Sequence, residues 1–89
     1  MEKRIGSALI MIEDPVQVEI LNKILSNHSA IIMGRQGIPL RDRNIFIISI
    51  VLDGTTDEIG ALTGQVGRIK GVQIRSVLTK SQDNNHEKA

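Results

Sequence analysis

Arg35, Arg41 and Arg43 fall in one short stretch, interspersed with Gly34, Gly37, Pro39, Asp42 and Asn44. Guanidinium forks match carboxylate and phosphate groups in both shape and charge. This stretch is therefore the candidate for holding a small anion. Gly34 and Gly37 bracket Arg35 and would let a ligand or another backbone come close. Further along, Gly60 and Gly64 stand one helical turn apart and offer a smooth strip to a partner or a small molecule. The candidate ligand-binding set is thus Gly34, Arg35, Gly37, Arg41, Arg43, Gly60 and Gly64, placed at a junction between subunits. The competing reading is structural: the arginines solvate a turn that Asp42 partly neutralises, and the glycines serve packing.

Other chemistry finds less support. Asp53, Asp57 and Glu58 cluster, and paired carboxylates can exchange protons with a substrate. Their position at a helix start explains them as capping groups instead. Zinc, copper and nickel need three or four ligands, whereas the only histidines are His28 and His86 and there is no cysteine. His28 reads as a helix-end residue. Ser7, Ser49 and Ser76 have no base at motif spacing, and neither a nucleophile elbow nor a phosphate loop occurs. The expectation is a protein without catalytic residues, metal or cofactor.

Composition narrows the partners. The 89 residues suit one domain, and 40% of them are hydrophobic, a globular proportion. Net charge is +1 and the sole aromatic residue is Phe46. Nucleic-acid readers carry a basic excess and often stack bases on aromatic rings, so direct nucleic-acid binding is not expected. The apolar run near the start is too short for a membrane span and reads as a strand. A cytoplasmic protein is expected.

The elements that must position these residues follow from periodicity. Arg4–Ile12 is a first strand. Asp14 and Pro15 open an amphipathic helix reaching Asn27, with Val18, Leu21, Leu25 and His28 on one stripe. Ala30–Gly34, extending to about Gln36, is a second strand, and Gly37–Asn44 reads as a hairpin connection. Ile45–Leu52 is the strongest strand signal, ended by Asp53-Gly54. Thr55 and Glu58 form a capping box for a second helix marked by Ile59, Leu62, Val66 and Ile69. Gly60, Ala61, Gly64 and Gly67 lie on or beside that stripe, which suggests close approach of the helix to the sheet or to a partner. Gly71-Val72 opens a last strand to about Lys80, and 81–89 is a polar, flexible tail.

The order β-α-β-β-α-β predicts an α+β domain over residues 1–80. It is ferredoxin-like, with a four-stranded antiparallel sheet and two helices on one face. The first and third strands are apolar on both parities, so something should cover the bare sheet face. A second copy of the chain is the simplest candidate.

With that order, Arg35-Gln36-Gly37-Ile38-Pro39-Leu40-Arg41 and Asp57-Glu58-Ile59-Gly60-Ala61-Leu62-Thr63-Gly64-Gln65-Val66-Gly67 resemble segments of the iron-only hydrogenase system regulators. The likeness spans roughly residues 2 to 79 and includes Ile69-Lys70-Gly71-Val72. It extends to ACT domains and to the ligand-sensing C-terminal domain of nickel-responsive regulators. The resemblance implies an ACT-like fold and a regulatory or ligand-sensing role rather than catalysis; the residues themselves add the expectation of a homodimer or higher oligomer, with a small anionic ligand or a protein partner. The alternative is a purely structural assembly domain. The chain departs from the nickel regulators in lacking their cysteine and histidines. It departs from many ACT domains in having Glu13-Asp14-Pro15 where they place a glycine.

Overall fold

A computed structural model describes residues 2–80; the expected tail and His86 lie outside them. Four strands, β1 (Lys3–Ile12), β2 (Ile32–Leu40), β3 (Ile45–Thr55) and β4 (Val72–Leu78), and two helices, α1 (Val18–Asn27) and α2 (Thr56–Gly67), alternate in the expected order. The strands form one antiparallel sheet in the order β2-β3-β1-β4. β1 and β3, the most apolar segments, thus occupy its centre.

Register divides the side chains between two faces. Ala8 pairs with Ile50, Ile10 with Ile48 and Ile12 with Phe46 across β1 and β3. Ala8, Ile10, Ile12, Ile48, Ile50 and Leu52 are buried together with Leu21 and Leu25 of α1 and Ile59, Leu62 and Val66 of α2. Both helices therefore lie on one side of the sheet, and their stripes close the core there.

Helix starts follow local chemistry. The Asp14 carboxylate accepts from the Val16 N–H at 3.1 Å, and Pro15–Gln17 makes one 3-10 turn before α1 proper begins. Thr55 is at once the end of β3 and the cap of α2: its hydroxyl accepts from the Glu58 N–H at 3.1 Å, and Glu58 accepts from the Thr55 N–H at 2.8 Å. Strand passes to helix with no loop between them. After α2 the chain turns at Gly71, whose φ of +79° is left-handed and suits glycine.

Three boundaries differ from the sequence reading. Ser29–Ile31 makes a 3-10 turn that buries Ile31, so β2 begins only at Ile32. Gly37–Leu40, expected as connection, continues β2: Gly37 pairs with Ile48, Ile38 with Ile47, Pro39 with Phe46 and Leu40 with Ile45. Pro39 is tolerated because β2 is an edge strand, where one row of N–H groups has no partner. The connection shrinks to Arg41–Arg43, closed by Asn44 in the left-handed region at φ 56°, which asparagine accepts better than most residues. Asp53-Gly54 does not end β3 either, since Asp53 pairs with Ile5 and Gly54 with Arg4.

Candidate functional site

Arg35 pairs with buried Ile50 and so shares the helix side of the sheet. Its Nη2 donates to Asn22 Oδ1 of α1 at 2.8 Å, which fixes the direction of the guanidinium. Beside it, between the last turn of α1 and the start of β2, lies a groove of about 270 Å³ lined by Leu25, Ser26, Ser29, Ile32, Gly34 and Arg35. Two local features open it. The 3-10 turn at Ser29–Ile31 carries the chain away from α1, and a bulge between Ile32 and Gly34 breaks the ladder with β3. Gly34 lines the groove with its backbone; a Cβ there would share the open sheet face with Val51 and meet nothing within 4 Å.

Arg41 and Arg43 occupy the β2–β3 turn. With Pro39, Leu40 and Asp42 they border an open depression of about 500 Å³. Arg41 also borders a smaller one of about 180 Å³ that includes Ile12, Pro15, Asn44 and Phe46. Arg35 stands six residues before Arg41 on an extended strand, roughly 20 Å away at ~3.3 Å per residue. The arginines thus make two separate cationic places, not one cluster around a hairpin.

The glycines divide similarly. A Cβ at Gly37 would lie 3.0 Å from Phe46 Cζ. Gly37 makes room for the aromatic ring, which packs over it. Gly60 and Gly64 are exposed, and a Cβ on either would meet nothing within 4 Å. They sit opposite the buried Ile59–Leu62–Val66 stripe, so they do not bring α2 closer to the sheet. No residue of α2 lines the grooves described above. One chain therefore does not gather Gly60 and Gly64 with the arginines.

The acidic cluster is taken up by structure at Glu58. The Thr55 backbone N–H, then the Thr55 side chain, hold its carboxyl below the ordinary range; Lys3 adds in the same direction and slight desolvation opposes. Asp53 points with Ile5 to the open sheet face. Among the described residues no three or more His, Asp or Glu side chains group as metal ligands, and His28 instead meets Gln65 Oε1 at 3.2 Å.

Asn22, Ser26 and Ser29 escaped the sequence reading. A signal was available for the first two: Asn22 and Ser26 lie four apart, hence on one face of α1, beside rather than within the apolar stripe. Ser29 carries no comparable signal.

The open sheet face forms a second candidate surface. Its rows read Ile38–Ile47–Met11–Gln73, Gln36–Ser49–Leu9–Arg75 and Gly34–Val51–Ser7–Val77 across β2, β3, β1 and β4. Leu9 is 52% exposed, Val51 45%, Ile38 41% and Val77 69%. Gln36, Gln73, Arg75 and Asp53 stand toward its margins.

Comparison with known proteins places this architecture. A family model described as "TM1266-like: Iron-only hydrogenase system regulator, putative" matches residues 4–76. The solved structure of the uncharacterized protein TM1266 from Thermotoga maritima is 38% identical, with a TM-score of 0.84. The match covers 89% of this chain and 100% of that one. Two others share the fold alone. The C-terminal domain of the MgtC protein from Mycobacterium tuberculosis is 11% identical, with a TM-score of 0.67 over 85% of this chain and 87% of that one. An unknown protein from Galdieria sulphuraria is 17% identical, with a TM-score of 0.60 over 89% and 46%. No curated protein matches the sequence.

Proposed function

Because the chain belongs to the TM1266-like family of iron-only hydrogenase system regulators, we propose that it is a regulatory module acting by binding, not by catalysis, and that it works as a homodimer. The observation that carries this reading is the open sheet face. Leu9, Met11, Ile47 and Val51 on the two central strands form an apolar centre that Ile38 and Val77 extend to the edges, and Gln36, Gln73, Arg75 and Asp53 supply a polar border. Apolar centres with polar rims are the ordinary anatomy of protein interfaces.

Size agrees with a second copy as the occupant. Four strands ~4.8 Å apart, with about eight residues at ~3.3 Å, give a flat footprint of roughly 500 Å². Side-chain relief enlarges it toward the ~800 Å² per partner of stable interfaces. A twofold pairing of two such faces would stack the sheets about 10 Å apart.

Regulation then passes to another protein. With a net charge of +1, the domain has little with which to displace counterions from duplex DNA. Light scattering on a sizing column tests the assembly. At tens of micromolar the mass should be at least twice that of the 9.8 kDa chain, and Leu9→Glu should return it to one chain. A monomer at that concentration overturns the reading.

A further inference from the structure

The groove between α1 and β2 has features that assembly through the opposite sheet face does not use. Arg35 is held by Asn22 through one donor, and a guanidinium has five. The remaining donors stay available at the edge of the groove. Ser26 and Ser29 add hydroxyls to its wall, while Leu25 and Ile32 supply apolar surface.

Chemistry selects among anions. A single guanidinium meets a single carboxylate in a paired, bidentate contact. The groove adjoins the C-terminal end of α1, where the helix dipole is negative; it opposes any anion, and a doubly charged phosphate about twice as strongly as a carboxylate. The volume of about 270 Å³ equals the share of roughly nine waters in the liquid, at ~30 Å³ each. That suits an acid of a few carbons and leaves little room for a nucleotide.

We propose that the α1–β2 groove binds a small monocarboxylate with a short apolar tail. Its carboxylate pairs with Arg35, its tail lies on Leu25 and Ile32, and Ser26 or Ser29 donates to the second carboxylate oxygen. Asn22 is a positioning residue: it orients the guanidinium and touches no ligand. Gly34 lines the groove with backbone alone. Arg35 is exposed, so solvent screens the pair and affinity falls in the millimolar range. The site shares with the preceding reading only the premise that the domain works by binding, and it lies on the other side of the sheet from the assembly face.

Amide NMR titration of the full chain tests this, with isovalerate, acetate and inorganic phosphate as probes at constant ionic strength. Isovalerate should give saturable shifts at Ser26, Ser29, Gly34 and Arg35. Acetate, lacking the tail, should bind several-fold more weakly, and phosphate more weakly than isovalerate. Arg35→Gln should lower isovalerate affinity about tenfold or more, with melting temperature and mass unchanged, and Asn22→Ala should lower it several-fold. Ser26→Leu is a second route that leaves the arginine intact. Ser26 is an exposed position of α1 in the groove wall, so the fold holds while the larger side chain fills the groove and isovalerate binding is lost. Phosphate binding as tightly as isovalerate, shifts centred on Arg41 and Arg43, or unchanged affinity in Arg35→Gln and Ser26→Leu would each overturn the proposal. A dimer that ignores isovalerate removes the groove and leaves the assembly reading standing; a monomer that binds it does the reverse.

Discussion

The two faces of the sheet are built from the same kinds of residue and meet different fates. On the helix side Ile10, Ile48, Ile50 and Leu52 are completely buried, and α1 and α2 close over them. On the open side Leu9 and Val51 alternate with them along β1 and β3, Val77 stands beside them on β4, and all three remain about half exposed or more. Strand propensity is satisfied equally on both sides, because β-branched and aliphatic residues suit a pleated surface whichever way they point. What differs is cover. The intramolecular core is complete with one chain, whereas the open face holds apolar area whose removal from water needs a partner.

Truncation separates the two faces with the largest effect. Ile50→Ala should cost about 2–5 kcal/mol, since the site is closed on all sides and cannot collapse fully. The loss should not depend on protein concentration in a chemical melt of the dissociated chain. Leu9→Ala should cost much less there, and its effect should grow with concentration, because the partner that covers Leu9 stabilises by mass action. Equal, concentration-independent losses for both variants would erase the distinction between the faces.

The covered side also has a tight point. A Cβ on Gly6 would lie 2.6 Å from Leu78 Cδ2 and 2.9 Å from the Val77 carbonyl oxygen. The leucine can swing aside, but the backbone carbonyl cannot without disturbing β4. Gly6→Ala should therefore destabilise by about 1–3 kcal/mol, the range for overpacking, read as a fall in denaturation midpoint. Hydrogen exchange should quicken first at β4, the edge strand that must yield.

The order of elements and the faces of β1 and β3 were legible in the sequence because they rest on patterns repeated many times over. Both parities of Ile45–Leu52 announced a strand apolar on two sides. Thr55 with Glu58 announced the start of α2. Boundaries fixed by single residues were not legible. Pro39 and Gly37 argue for a turn by type, and only the edge position of β2 and the ring of Phe46 over Gly37 make them strand residues. Gly6 stands in a strand with no turn signal, and its reason is a neighbour seventy-odd positions away. The candidate site was half legible. Guanidinium chemistry singled out Arg35, but sequence proximity joined it to Arg41 and Arg43, which an extended β2 carries roughly 20 Å off. Asn22, the residue that directs Arg35, comes from another element.

Gly60 and Gly64 extend the comparison to the outside of α2. Both face away from the sheet with nothing near their missing side chains. In a free helix surface, Gly64→Ala should stabilise the chain by about 0.8–1.0 kcal/mol through helix propensity alone. A rise of that size with unchanged oligomer mass assigns the strip to solvent and confines assembly to the sheet. A loss of mass, or a fall in stability that grows with concentration, assigns the strip to a partner's close approach and adds a second contact surface.

The smallest expected effect belongs to the α2 cap and concerns pH. Glu58 accepts from the Thr55 N–H at 2.8 Å. That bond, with the Thr55 side chain and the charge of Lys3, lowers its pKa in the folded state below the ordinary 4.5. A carboxyl whose folded pKa is depressed binds fewer protons folded than unfolded at acid pH, so unfolding takes protons up. Its contribution is complete above the ordinary value and is lost as pH falls from about 4.5 through the folded value. The group is exposed to solvent, so the effect is small beside the packing changes. Melting temperature measured from neutral pH downward should show a slope below that value that Glu58→Gln reduces. Glutamine can still accept from the Thr55 N–H but has no proton to gain. Thr55→Val should reduce the same slope by removing the hydroxyl half of the box. Neither variant should alter the mass near neutral pH, because the box lies at the start of α2, on the covered side of the sheet. An acid slope identical in wild type and Glu58→Gln would assign the loss to other carboxylates and leave the cap a matter of hydrogen bonding alone.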